Sequence, residues 1–483
     1  MTMNAVSRRE VLRRSAAAGA LVIGFDVPAR GWATAADRAG HLARGFPLFD
    51  GVLHTDTAAT AAAAEDFGHI VHRRALAVLE PGSVEDIVRL IGFARRLRIS
   101  VAARGQGHSA YGQAQVDAGV VIDMRALARV HDVDGSVADV DAGATWRGVL
   151  GSTLPRGLTP PTLTDYQDLS VGGTLSVGGI GGAMFRYGAQ VDNVVALEVV
   201  TGAGRRAWCS STRRPQLFEA VLAGLGQCAV ITRAIVRLRS APARVRLLHL
   251  SYENLGTFAA DARAVVRNGR FDTVQGFAVP GAAGGWAYLL EATASSDAGE
   301  ETLLAGLHDI RDLAAFSEMT YEAFVKRLDP IVDQQRQAGV WELPHPWFDA
   351  WLPDDQAEAF AGRVLSQLTL EDVGGGPIIL YPTRSASFGR PLLRHPAGEL
   401  IWQFDILRTA LPAGTPAQTL IDANRRLYEH VRQIGGYLYP VGAVPLSPDD
   451  WTQHFGDSWP ALVRAKRRHD PARILTPGQH VFR

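Results

Sequence analysis

Short apolar runs alternate with amphipathic stretches through the first half of the chain. Val71-His-Arg-Arg-Ala-Leu-Ala-Val-Leu79 reads as a strand closed by Pro81-Gly82, after which the period of the pattern changes. Val84, Ile87, Val88, Ile91 and Leu97 fall on one helical face, with Ser83 placed as N-cap and Glu85 and Asp86 in the first turn. Ile99 to Ala103 returns as a strand, which predicts a β-α-β unit. Gly119-Val-Val-Ile-Asp123, Val137 to Ala142 and Val194 to Val200 predict further strands, the last turning at Thr201-Gly-Ala-Gly204 into a hairpin.

The pattern shifts near Ser240-Ala-Pro242, a domain boundary. Beyond it, Phe271-Asp-Thr-Val-Gln-Gly-Phe277 and Trp286-Ala-Tyr-Leu-Leu-Glu-Ala292 alternate as antiparallel strands, while Leu303 to Phe316, Ala357 to Leu368 and Ala417 to Ile434 carry helical periodicity. The second domain is therefore α+β, and no internal repeat interrupts it.

Two glycine-rich segments break these periods. Arg104-Gly-Gln-Gly-His-Ser-Ala-Tyr-Gly-Gln113 follows a strand and sets His108 where bare backbone permits close approach of a ligand. An ordinary turn with a solvated histidine fits the same residues. Leu163-Thr-Asp-Tyr-Gln-Asp-Leu-Ser-Val-Gly-Gly-Thr-Leu-Ser-Val-Gly-Gly-Ile-Gly-Gly182 interleaves apolar residues too regularly for a linker, which predicts a packed, irregular segment lining a ligand. Neither segment matches the dinucleotide fingerprint, since no helix opens after Gly107 and no acidic residue closes a ribose site.

Composition narrows the function classes. The 483 residues are 47% hydrophobic and 20% charged, with 49 basic against 49 acidic side chains, so no long-range field attracts nucleic acid or an anionic membrane and small-molecule chemistry is the default. The basic run Arg464-Ala-Lys-Arg-Arg-His469 reads as the solvated face of a helix with Leu462 and Val463 inward. Cys209 and Cys228 exclude a disulfide framework and read as buried, inert thiols. His69 and His72 have no acidic or cysteine companions in sequence, which argues against a metal site. Ser7-Arg-Arg-Glu-Val-Leu12, the apolar run Ala16 to Phe25 and Ala33-Thr-Ala35 form a twin-arginine export pattern over residues 1–36, too short in its apolar part to span a bilayer.

Arg104-Gly-Gln-Gly-His-Ser109, Leu163-Thr-Asp-Tyr166, Gly172-Gly-Thr-Leu-Ser176, Phe185-Arg-Tyr-Gly188, Gly224-Leu-Gly-Gln227, Val340-Trp-Glu-Leu-Pro-His-Pro-Trp347, His454-Phe-Gly456 and Leu475-Thr-Pro-Gly-Gln479 occur in the order of the cytokinin dehydrogenases of the vanillyl-alcohol-oxidase flavoprotein superfamily, and the chain resembles them over residues 65 to 483. The resemblance implies a two-domain α+β flavoprotein. Its FAD-binding domain, of the PCMH type, is split between residues 65–241 and a C-terminal return, 439–483. A substrate-capping α+β domain with an antiparallel sheet, 242–438, lies between the two parts. It also implies FAD attached covalently through one histidine, His108. Gly105, Gln106, Gly107, Ser109 and Gln113 would surround the cofactor, Ser170, Ser176 and Ile180 would continue that wall, and Ile231, Tyr439, Thr476 and Gln479 would close it. A pyrophosphate needs close backbone amides and hydroxyl donors, which both glycine-rich segments supply.

Asp165 is the catalytic candidate, because oxidation of a carbon–nitrogen bond requires the amine N–H to be held or deprotonated beside the flavin, and burial there would raise its proton affinity. A turn or cap role is its alternative, and Asp168 is a structural fallback. Glu291, Trp341, Trp347 and Tyr381 would shape an aromatic slot for a planar substrate. Arg384 replaces a residue pair typical of the plant enzymes and, facing the pocket, would suit an anionic or more polar ligand. These readings predict an exported cytokinin-dehydrogenase-like oxidase of a secondary amine of the N6-isopentenyladenine type, reoxidised by oxygen or a quinone. An alcohol or carbohydrate oxidase on the same fold is one alternative, and a non-catalytic flavin-binding protein is another.

Overall fold

A computed structural model describes residues 22–26, 31–34, 46–282, 284–295 and 298–482. The arginine motif Ser7 to Leu12 lies outside them, as do Ala16 to Leu21 of the apolar run and Ala35. The end of that run forms the strand Val22–Asp26, paired with Gly31–Thr34, and Phe25 packs edge-on against Phe93.

A four-stranded sheet opens the main body. It contains β1 (Val52–His54), β2 (Ala77–Glu80), β3 (Val101–Arg104) and β4 (Val120–Asp123) in the order β1-β2-β4-β3, with β2 and β3 both parallel to β4. The expected strand over 71–79 is shorter than its pattern, because Arg73 spends its N–H on the Gln115 side chain instead of a sheet partner. Helix α1 (Val84–Leu97) buries Ile87, Leu90, Ile91 and Ala94 and makes the predicted crossover between β2 and β3. Ser83 is its N-cap residue, but the Ser83 hydroxyl donates to Asp50 while Asp86 receives the Asp50, Gly51 and Gly82 amides.

The second sheet is antiparallel. Strands β5 (Val130–Asp134), β6 (Val137–Asp141), β7 (Val194–Thr201), β8 (Arg206–Ser210) and β9 (Ala229–Arg237) run in the order β8-β7-β9-β6-β5. Between β6 and β7 the glycine-rich segment is not wholly irregular: Val171–Val177 forms helix α2, with Val171 and Leu175 in the core.

Eight antiparallel strands form the third sheet: β10 (Arg244–Tyr252), β11 (Thr273–Pro280), β12 (Trp286–Ala294), β13 (Ala315–Thr320), β14 (Phe348–Pro353), β15 (Ile378–Arg384), β16 (Leu400–Ile406) and β17 (Tyr437–Leu438), ordered β13-β10-β12-β11-β15-β16-β14-β17. Helices Leu255–Asn268, Asp354–Gln367 and Ala417–Gln433 bury apolar faces that include Phe258, Phe360 and Tyr428, forming a second core. The helix expected over 303–316 is replaced by a short helix ending at Leu304, a turn through Gly306 at φ +72°, and β13, which pairs with β10.

The C-terminal segment returns to the first sheet. Leu475 bridges Val101 in parallel, and the Thr476 amide donates to the Val101 carbonyl. Helix Trp459–His469 exposes Arg464, Arg467 and Arg468 and buries Leu462, as expected, but Lys466 departs from the solvated face: its ammonium is buried, 2.9 Å from Asp470, and donates to the carbonyls of Gln227 and Leu475. Cys209 and Cys228 are buried and unpaired, and burial pushes both thiols up to about 12. No helix among the described residues is long and apolar enough to cross a membrane.

Candidate active site

A cavity of about 970 Å³ lies between the first two sheets and the eight-stranded sheet, at the upper end of the range usual for small-molecule sites. Its first wall is mostly backbone. Gly105, Gln106, Gly107, His108, Ser109 and Gln113 approach from the end of β3; Ser170, Ser176 and Ile180 come from α2 and its flanks; Ile231 comes from β9; Tyr439, Thr476 and Gln479 come from the C-terminal return. Close approach is obligatory here, since a Cβ on Gly105 would stand 2.0 Å from Ser170 Oγ. Gly107 and Gly179 hold φ of +70° and +74°, a region that disfavours side chains.

The turn carrying His108 is held from behind by Asp66, whose carboxylate accepts from Ser109 Oγ and the Gly112 and Gly68 amides; burial pushes it up to about 6. Gln113 Nε2 donates to the carbonyls of Val441 and Gly442, tying the turn to the C-terminal return. Tyr439 Oη accepts from the Gly179 amide at 3.0 Å. His108 stacks on Phe67, which stacks on His345 from its other side, at centroid distances of 4.1 and 4.2 Å. Trp341, Trp347 and Tyr166 surround the same imidazole at 5.0–5.8 Å. Burial pushes His108 down to about 4, so the ring is neutral over the physiological range.

The facing wall presents side chains. Asp165 enters from the loop before α2 and is held on both oxygens, by Arg327 at 2.8 Å and by Gln275 Nε2 at 2.6 Å. Its side chain is not fully buried and keeps 30% of its exposure. Arg327 also pairs with Glu291 at 2.9 Å, and Glu291 with His249 at 3.0 Å. Burial opposes ionisation of Glu291, but the His249 and Arg327 contacts outweigh it and hold the carboxyl below its usual range. Asp168 pairs instead with Arg147, away from the cavity.

Two expectations for this wall are corrected. Arg384 does not face the pocket: its guanidinium is exposed and donates to the Arg267 carbonyl at 2.6 Å, because its place on β15 turns it to the outer side. Tyr381 is buried beneath the lining against Gln275 and does not form the slot surface. His69 and His72 do have acidic companions in space, Glu65 and Glu342, although no cluster among the described residues is placed to hold a metal.

A family model described as cytokinin dehydrogenase 1, FAD and cytokinin binding, matches residues 284–482, and one described as FAD binding domain matches residues 75–210. The chain is 41% identical over 433 residues to an uncharacterized oxidoreductase of the fasciation locus of Rhodococcoides fascians, covering 89% of this chain and 98% of that one. It is 34% identical to cytokinin dehydrogenase 9 of Oryza sativa subsp. japonica, over 87% of this chain and 89% of the relative. The chain belongs to the cytokinin dehydrogenase family of FAD-dependent oxidoreductases. Its fold also matches 6-hydroxy-D-nicotine oxidase from Arthrobacter nicotinovorans, with a TM-score of 0.69 at 18% identity over 91% of this chain and 99% of that one.

The backbone wall fits the flavin that this family binds. Its glycines leave a groove that side chains would fill, Ser170 Oγ makes no capping bond within α2, and the buried Gln479 Oε1 lacks a partner. Sequence reasoning missed Arg327, Gln275, Asp349, Gln403, Asp405 and the Phe67–His345 stack, all of which line or abut the cavity. His345 lay within the quoted Val340–Trp347 string. Arg327 gave no local signal.

Proposed function

We propose that the protein oxidises a secondary amine of the N6-isopentenyladenine type. The observation that carries this reading is Asp165, fixed by Arg327 and Gln275 inside the cavity that His108 also lines. FAD, bound along the glycine wall, supplies the two-electron acceptor for a hydride leaving the carbon next to nitrogen. Asp165 accepts the amine N–H proton as the carbon–hydrogen bond breaks, so that the nitrogen lone pair closes the C=N bond. The imine adds water and divides into a primary amine and an aldehyde. Arg327 and Gln275 keep the carboxylate oxygens aimed, and Glu291 balances the arginine's second face.

We further propose that His108 carries the flavin covalently. A neutral imidazole, stacked on Phe67 and flanked by Tyr166, is the unprotonated form that attachment to the flavin 8-methyl carbon needs. His108→Ala protein would then release its flavin on acid denaturation, whereas the parent retains it on the polypeptide. Export is a proposal that rests on the sequence pattern of Ser7-Arg-Arg, the apolar run Ala16 to Phe25 and Ala33-Thr-Ala35.

Anaerobic mixing with isopentenyladenine, beside alcohol and sugar controls, tests the substrate class through the flavin absorbance. Bleaching by the amine alone is the expected result. Bleaching by an alcohol or sugar instead would keep the flavoprotein and discard amine oxidation.

A further inference from the structure

Asp349 on β14 stands in register with Asp405 on β16, and Gln403 lies two residues from Asp405 on the same face of the strand. All three line the cavity, and they keep only 3%, 1% and 6% of their exposure. Gln403 Nε2 donates to Asp405 Oδ2. Three oxygens remain without any donor: Asp349 Oδ2, Asp405 Oδ1 and Gln403 Oε1. The buried carboxylate of Asp470, by contrast, is satisfied by Lys466 and two amides. Arg327 is the one guanidinium in the described lining, and it is committed to Asp165, Glu291 and Gln275. Four carboxylates therefore face one arginine across the cavity, which disfavours an anionic ligand and leaves acceptors waiting for donors.

We propose that Asp349, Asp405 and Gln403 form a substrate subsite for a planar N–C–N group bearing N–H donors, an amidine or amino-heterocycle edge, with a cationic group preferred. Carboxylates take such a fork through two parallel N–H···O bonds. The proposal rests on reading the cavity as the substrate chamber, but not on which bond is oxidised. Burial pushes Asp405 up to about 8 and Asp349 well above the carboxylate range, Asp405 adding to the latter. The other titratable groups beside Asp405 are Tyr381 and Tyr439, both raised by burial. Asp405 thus keeps its proton at neutral pH when the site is empty, and a bound cation displaces it.

The test is titration of the purified holoprotein with benzamidine and with its neutral isostere benzamide, following the perturbation of the flavin absorbance. Benzamidine is expected to bind at least about tenfold tighter than benzamide, and an Asp349→Asn, Asp405→Asn double variant to lose about tenfold or more in benzamidine affinity with benzamide shifted less than about twofold. In the parent protein, which needs no variant, benzamidine affinity should rise between about pH 6 and pH 9 while that of benzamide stays level. Equal affinities for the two probes, a level benzamidine profile, or undiminished benzamidine binding by the double variant would overturn the proposal. So would a flavin spectrum altered in the ligand-free variant with benzamidine binding retained, because the pair would then face the cofactor. No probe is oxidised, so a failed bleaching experiment with isopentenyladenine leaves this result separately readable.

Discussion

The cavity has one wall made of backbone and one made of charged side chains, and the two obey different rules. Along the Gly105–Gln113 turn, the α2 segment and the C-terminal return, close approach and positive φ leave room for a ligand, and the hydrogen bonds of Asp66 and Gln113 hold the loops from behind. On the eight-stranded sheet, Gln275, Glu291, Gln403, Asp405 and Asp349 project from strands whose register brings them together, with Arg327 joining from the loop before the helix at Asp329–Gln337. The first wall suits a cofactor that is always the same. In the function proposed above, the second carries the groups that distinguish and activate a substrate.

This division predicts separable damage. Gly105→Val should give protein without bound flavin, because its side chain would occupy the space of Ser170 Oγ; absorbance of the purified protein checks it, and normal flavin content would show that the two segments can part. Arg327→Met should keep the flavin and slow its reduction by substrate by roughly 10²-fold, since Asp165 and Glu291 lose their shared partner and their orientation. Stopped-flow reduction measures this.

A smaller effect separates the walls by pH. His345 is pushed down to about 4 by burial, so below about pH 6.5 the unfolded chain binds a proton that the folded chain refuses, and stability falls as pH drops toward 4. Asp405 has the opposite sign. Folded, it keeps its proton to about pH 8, whereas the unfolded carboxyl loses it near pH ~3.9, so its burial costs stability increasingly as pH rises. Asp405→Asn should therefore raise the melting temperature at pH 8 on the order of 2–5 °C, with the gain shrinking toward pH 4. A gain independent of pH would mean that packing, and not the proton, sets it.

The backbone wall was legible because its requirement is local: paired glycines in Gly105-Gln-Gly107 and Gly172-Gly173 state where side chains are forbidden. The charged wall was not, because a polar residue on a strand faces solvent or cavity according to pairings with strands distant in sequence, such as Asp349 with Asp405 and Phe277 with Ile379. Asp349 and Asp405 did leave a trace, as single carboxylates inside Phe348-Asp-Ala-Trp-Leu352 and Leu400-Ile-Trp-Gln-Phe-Asp-Ile406. Arg384 was misread for the same reason, since its neighbours in sequence do not say which side of β15 it takes. The helix expected over 303–316 failed because pairing with β10 outweighed a helical period that Gly306 interrupts.

The central claim is that Asp165 belongs to the chemistry and not to the cofactor cradle. Flavin content and the anaerobic rate of flavin reduction by isopentenyladenine, measured together on Asp165→Asn and the parent protein, test it most directly. The account predicts equal flavin content and a reduction rate lower by about 10²–10⁴-fold. An unchanged rate, or a loss of rate that only tracks a loss of flavin, would contradict it.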